Sequence, residues 1–314
     1  MKDLIKKYAR ITGIGFAMGS ANVIPGVSGG TIAFITGIYG ELISSIRKCV
    51  SPAVLKMAIH FDVRGLYREL PWRFLLALCV GIALSFATMA KFCVWMLENH
   101  PQITNAFFFG LISASIITMA KTIKKWSIPV IISTVAGAVA AYFVITLVPM
   151  NTPDSWWMMF LCGFICMIAM ILPGLSGSFL MLILGQYERV WQAVADICSF
   201  KITTSNIVML FWVALGSVAG LGSFVHLLNY LMRRFMDATT AALIGFMIGT
   251  LPRIWPYITE TDFVLKKGKL VATKFKCLAP EWNINLLYVI LTAAAGLAIV
   301  LLIEKFASNS KEEK

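Results

Sequence analysis

The sequence predicts an all-α integral membrane protein made of two inverted-topology repeats. Three observations lead there: apolar runs of transmembrane length, a motif that occurs twice, and an uneven spread of basic residues. Of the 314 residues, 59% are apolar and 13% charged, against roughly 25% charged in a soluble domain. Residues 74–97 hold one charge in 24, residues 207–232 none in 26 and residues 284–303 none in 20, where about 20 residues cross a bilayer. A soluble enzyme is excluded. The net charge of +12 speaks for orientation and lipid headgroups, not nucleic acid, because Lys and Arg sit between the apolar runs.

The repeat is read directly from the chain. Residues 25–46 are PGVSGGTIAFITGIYGELISSI and residues 173–194 are PGLSGSFLMLILGQYERVWQAV. At an offset of 148, Pro25, Gly26, Ser28, Gly29, Gly37 and Tyr39 meet Pro173, Gly174, Ser176, Gly177, Gly185 and Tyr187. A weaker match at an offset of 135 pairs Gly81 with Gly216, Lys91 with His226, Thr104 with Thr239 and Gly110 with Gly245, and an Ala-Gly recurs at 136–137 and 295–296. The halves are 1–150 and 156–314. Because the N-terminal apolar run leads straight into the repeated motif, it is not read as a signal peptide.

Each element follows from length and charge. The apolar stretch 11–24, about 21 Å as a helix, is too short to cross a core of about 30 Å. Proline and glycine then allow a reversal, so residues 11–46 are expected as a re-entrant hairpin with P-G-V-S-G-G at its tip. Ten basic residues flank it, from Lys2 to Arg73, and place both ends and the N-terminus in the cytoplasm. Helices over 74–97, 103–120 and 128–149 are expected to cross, the second ending at Lys121, Lys124 and Lys125. Three crossings make the second half inverted: a hairpin over 156–196 from outside, then helices 207–232, 238–251 and 284–303. The inside segments so defined hold 18 of the 27 Lys and Arg. The polar loop 253–282 dissents, being basic yet outside, and its alternation suggests a small surface hairpin.

The chemistry is expected at the tips. A helix restarting after each tip presents unpaired N–H groups and the positive end of its dipole, which suit phosphate oxygens. The residues proposed to bind substrate are Asn22, Gly26, Ser28, Gly29, Gly30, Thr31, Gly174, Ser176, Gly177 and Ser178, with Arg189 beyond the second tip. Glu41 and Glu188 follow the tips and are the candidates for carrying a coupling ion, a proton or sodium. Trp72, Trp156, Trp157 and Trp282 read as an interfacial belt. The seven cysteines show no C-x-x-C spacing, and His60, His100 and His226 fall in no catalytic arrangement. No catalytic residue, metal or cofactor is expected.

The run S-A-N-V-I-P-G-V-S-G-G-T-I-A-F-I-T-G-I-Y-G-E-L-I resembles the bacterial polyprenyl-phosphate translocase family (PopT), formerly a family of unknown function. The resemblance covers nearly the whole chain, with Asn22 where family members often carry Asp. It implies a transporter in the cytoplasmic (inner) membrane, returning undecaprenyl phosphate from the outer to the inner leaflet for cell-envelope synthesis. The residues alone give an inverted-repeat transporter for an anion, and a carrier or channel for a small anion is the alternative. Partners expected are the lipid substrate, a coupling cation and membrane lipids.

Overall fold

The computed structural model describes the chain except residues 1, 23–28, 90, 91, 93, 94, 97, 98, 148–151, 154, 200, 202, 267, 268, 281–283, 313 and 314. The first half opens with α1 (Lys2–Asn22), α2 (Gly29–Ile35) and α3 (Tyr39–Cys49). Most of residues 2–10 are good helix formers, so α1 starts nine residues before the expected limb. Two short helices follow, α4 (Pro52–Ile59) and α5 (Val63–Glu69), the latter capped by Asp62, whose carboxylate accepts from the Gly65 amide at 2.9 Å. The chain then bends by 81° into α6 (Trp72–Thr88). Tyr67 stacks on Trp72 across that bend, and Arg73 lies over the same indole, a cluster suited to the headgroup level. Next come α7 (Pro101–Ala120) and α8 (Ile128–Ile145), each with proline in its first turn, where no amide is needed.

The second half repeats the opening with α9 (Trp156–Ile171), α10 (Gly177–Ile183) and α11 (Tyr187–Cys198). In both halves the seven-residue helix closes on a left-handed glycine, Gly37 (φ 75°) and Gly185 (φ 69°). Their amides bond back to Phe34 and Leu182, and those of Ile38 and Gln186 to Ala33 and Met181, the same helix-ending turn made twice. There follow α12 (Thr204–Arg234), α13 (Met236–Thr250) and a 3₁₀ turn over Leu251–Ile254. The alternation noted in the basic loop forms an antiparallel hairpin of β1 (Ile258–Lys266) and β2 (Lys269–Cys277), in register from Ile258–Cys277 to Lys266–Lys269. The last helix is α14 (Ile284–Glu312).

Close helix pairs hold the molecule together, and glycine makes each possible. Gly15 and Gly81 join α1 to α6, and Gly163 and Gly216 join α9 to α12, each glycine lying under a backbone carbonyl of the facing helix. Gly110 and Gly296 join α7 to α14 in the same manner, and Gly137 and Gly245 join α8 to α13. A Cβ at any of these positions would strike the opposite backbone; small residues are what lets apolar helices approach inside a membrane. The first two pairings stay within a half and the last two exchange helices between halves. Gly15/Gly163 keep the offset of 148, and Gly81/Gly216 and Gly110/Gly245 keep that of 135.

The main apolar core draws on both halves, with Met18, Phe34, Ile112, Leu228, Met247 and Val300 among its buried members. Outward faces stay apolar, as with Ile132, Val139 and Phe143 on α8. Among the described residues, α7, α8, α12 and residues 284–302 of α14 are long and apolar enough to cross a membrane. Two expected crossings stand apart from these: 74–97 is described only in part, and 238–251 is matched by a helix over Met236–Thr250. The described part of the first, α6, ends at Thr88, where the Met89 amide bonds to Ser85; the other, α13, has 15 residues, about 22 Å. The protein is an all-α membrane protein apart from its one described hairpin.

Candidate functional site

The helix that restarts after the first break, α2, meets the break between α9 and α10 inside the molecule. Thr31, in the first turn of α2, is fully buried, and its hydroxyl oxygen accepts the Gly174 amide at 3.0 Å. Tyr39, at the start of α3, donates its hydroxyl to the Ile171 carbonyl at 2.9 Å, satisfying an acceptor at the end of α9 that has no partner in its own helix. Both links run from the first half onto the second break. That break is tightly seated: Pro173 is fully buried and Gly174 has φ 86°. A Cβ on Gly174 would come within 2.5 Å of the Thr250 hydroxyl at the end of α13.

Asn22 and Gly29 close the first break locally. The Gly29 amide donates to Asn22 Oδ1 at 2.6 Å, so the side chain at the end of α1 caps the start of α2. This alters the expectation of open amides at the first tip, because at least this one is engaged. Gly26 and Ser28 lie outside the described residues. Gly29, Gly30 and Thr31 are buried, whereas Asn22 is exposed.

At the second break, Gly177 packs so closely on α9 that a Cβ would sit 2.6 Å from the Cys166 carbonyl. Ser176 stands at the N-cap of α10 without capping it, its hydroxyl 2.7 Å from that of Ser178. This exposed pair of hydroxyls beside Gly174 is the polar part of the second tip that faces outward. The sequence did not single out Arg253, whose guanidinium lies 5.5 Å from the ring of Phe179 on α10 and 5.3 Å from that of Phe275 on β2. Two aromatic faces hold this cation beside the helix that follows the second tip. Only the mixture of Arg with Phe in the basic loop hinted at it. Thr250 carried no signal, and Tyr39 stood out only as a repeat match.

The other sequence candidates are elsewhere. Glu41 lies at the surface, 3.7 Å from Lys7 with both side chains about half exposed, a pair worth at most about 1 kcal/mol. Glu188 is exposed and, with Arg189, Gln192 and Asp196, borders a hollow of about 330 Å³. Arg189 also borders a second cavity, of about 260 Å³, with Ser155, Trp156 and Trp212. Of the aligned pair Lys91 and His226, the first lies outside the described residues and the second donates to the Gly222 carbonyl of its own helix. Trp156 and Trp157 are exposed, in keeping with a belt, and Trp282 lies outside the described residues.

Comparisons with known proteins agree on one family. The chain is 39% identical over 304 residues to a polyprenyl-phosphate transporter of Vibrio cholerae, covering 94% of this chain and 96% of that one. It is 29% identical over 260 residues to a polyprenyl-phosphate transporter of Staphylococcus aureus, covering 77% and 84%. Both relatives are named as transporters, in accord with the absence of an expected catalytic residue. No solved structure matches the chain significantly. Residues 18–271, which include both breaks and most of the hairpin, match a family model described as undecaprenyl phosphate translocase-like, and the chain therefore belongs to this VCA0040-like family.

Proposed function

We propose that this chain transports a polyprenyl phosphate, undecaprenyl phosphate, from the outer to the inner leaflet of a bacterial cytoplasmic membrane. In this reading the halves are inverted, the N-terminus is cytoplasmic, and the two broken hairpins re-enter from opposite sides. The observation that supports it most is the hydrogen bond from the Gly174 amide to Thr31, which ties the start of α2 to the second break. It sets Gly29, Gly30 and Thr31 at the start of α2 against the second tip in an otherwise apolar protein, where a phosphate headgroup has few other places to stay solvated. The exposed Ser176 and Ser178 hydroxyls donate to phosphate oxygens, and Arg253, over the ring of Phe179, adds a positive charge beside the same helix.

Moving the headgroup inward works against an inside-negative potential, at about 2.3 kcal/mol per charge per 100 mV. A coupling cation or removal of the product must supply that work. Glu41 and Glu188 are the proposed carriers of a proton or sodium. The test is translocation of undecaprenyl phosphate in proteoliposomes, comparing wild type with Ser176→Ala/Ser178→Ala and with Glu41→Gln/Glu188→Gln. The reading expects the first variant to lose transport and the second to lose its response to an imposed ion gradient. Movement of free phosphate with no preference for the lipid would replace this reading with a small-anion carrier.

A further inference from the structure

The cavity of about 260 Å³ beside Arg189 differs in kind from the tips. It lies where two helices begin, α9 and α12, and is bordered by Arg189 of α11. Ser155, Thr204 and Ser205 bring hydroxyls, Arg189 a guanidinium, and Trp156 and Trp212 an apolar wall. The two indoles pack against each other with centroids 5.0 Å apart. Ser155 occupies the N-cap of α9 but does not cap it, and its hydroxyl oxygen is buried with no hydrogen-bond partner among the described residues. Thr203 does cap α12, accepting the Asn206 amide at 3.3 Å. Two positive helix ends, one unsatisfied buried hydroxyl and an arginine thus converge on one space.

The repeat makes this cavity one-sided. At the offset of 148, Ser155 and Arg189 correspond to Lys7 and Glu41. In the first half those two positions form an ion pair at 3.7 Å. In the second the corresponding residues are a serine and an arginine, and both border the cavity. Two carboxylates lie near Arg189 on its other side, Glu188 and Asp196, both bordering the separate hollow of about 330 Å³. Asp196 is engaged there by the side-chain amides of Gln192 at 3.0 Å and Asn206 at 3.2 Å.

We propose that this cavity is a second binding site, distinct from the tips, for the phosphomonoester headgroup of a membrane lipid. Arg189 and the hydroxyls of Ser155, Thr204 and Ser205 take the phosphate oxygens. Trp156 and Trp212 line the path of the first apolar groups of the tail. Because the first half lacks the site, the lipid is collected on one face only. The proposal rests on the reading that the substrate is a lipid phosphate, but it does not require the tips to bind it.

The experiment is native mass spectrometry of the full chain in detergent, titrated with undecaprenyl phosphate and, in a separate arm, with inorganic phosphate as competitor. Wild type is expected to carry two lipid adducts. Ser155→Lys/Arg189→Glu, which installs the ion pair of the first half, is expected to carry one, with the lost adduct weakened at least about tenfold. Arg189→Gln, a neutral change of similar size, is read the same way should the double variant fail to fold, and Arg189→Lys is expected to recover most of the binding. Ser176→Ala/Ser178→Ala is expected to keep the Arg189-dependent adduct. Unchanged binding in both Arg189→Gln and the double variant overturns the proposal and leaves the tip reading standing. Loss of all binding in the tip variant alone also overturns it. Loss only in the Arg189 variants upholds it while removing the tips as a lipid site, and displacement of the lipid by equimolar inorganic phosphate overturns the lipid assignment.

Discussion

The Gly174 amide and the Thr31 hydroxyl oxygen lie 3.0 Å apart, joining residues 143 positions distant, one in the first turn of α2 and one at the break between α9 and α10. Thr31→Val keeps the volume and removes the acceptor, leaving a buried amide unsatisfied at a cost of about 1–3 kcal/mol. Thr31→Ser keeps the acceptor. The expected outcome is a clear fall in thermal midpoint for valine and a small one for serine, measured on detergent-purified protein.

Gly174→Ala faces two separate obstacles. Its φ of 86° disfavours any side chain by about 1–2 kcal/mol, and the new methyl would meet the Thr250 hydroxyl. Thr250→Ala removes the second obstacle only. In a double-mutant cycle followed by thermal unfolding, Gly174→Ala/Thr250→Ala is expected to be more stable than the two separate losses add up to, yet still below Thr250→Ala alone.

These two residues also mark how far the sequence was legible. The duplicated P-G-x-S-G motif revealed the repeat because it is local and rich in residues with few conformational substitutes. The hairpin over 258–277 was legible from the alternation in its sequence. What Thr31 and Tyr39 touch was not, because both bonds join segments more than 130 residues apart. The capping of Gly29 by Asn22 spans a gap of seven residues and was masked by the expectation of open amides. Arg253 was read as part of a basic loop, since only the folded chain sets it between Phe179 and Phe275. The end of α6 at Thr88 was not legible, because hydropathy measures an apolar run and not the point where its helix stops.

Glycines at helix crossings are expected to separate sharply from those elsewhere. Gly137→Ala and Gly296→Ala drive a methyl into the backbones of α13 and α7, costing about 1–3 kcal/mol as overpacked contacts. Gly13, also helical, has open space where its Cβ would be, and alanine there is expected to be neutral or stabilising by up to about 1 kcal/mol. Thermal midpoints of the three variants measured side by side decide this, and similar losses in all of them would contradict the close-packed crossings.

The Lys7–Glu41 pair gives a control for the proposed coupling role. Both side chains are about half exposed, so Glu41→Gln is expected to change stability by less than about 1 kcal/mol. Any loss of gradient-driven transport in that variant then reflects function and not folding. A variant that loses stability and transport in step would count against Glu41 as an ion carrier.

Native thiols test the sidedness. Cys277 is exposed at the end of the hairpin, and partial burial holds its thiol above the usual range. Thiolate is the reactive form, so labelling is expected to be slow at neutral pH and to keep rising beyond pH 9. In intact cells an impermeant maleimide should reach Cys277 but reach Cys49 only after permeabilisation. The opposite order would place the hairpin in the cytoplasm and invert the proposed orientation.

The exchange of helices between halves bears on how the chain is made. Both α7 and α8 are synthesised early, yet their close partners, α14 and α13, come from the last third of the polypeptide. Until the ribosome finishes, two apolar helices wait in the bilayer with glycine-notched faces uncovered. A fragment ending near residue 150 would insert with those faces still unmatched, a ready substrate for membrane quality control. Co-expression with the remaining fragment should rescue it, because the missing surfaces are supplied in trans.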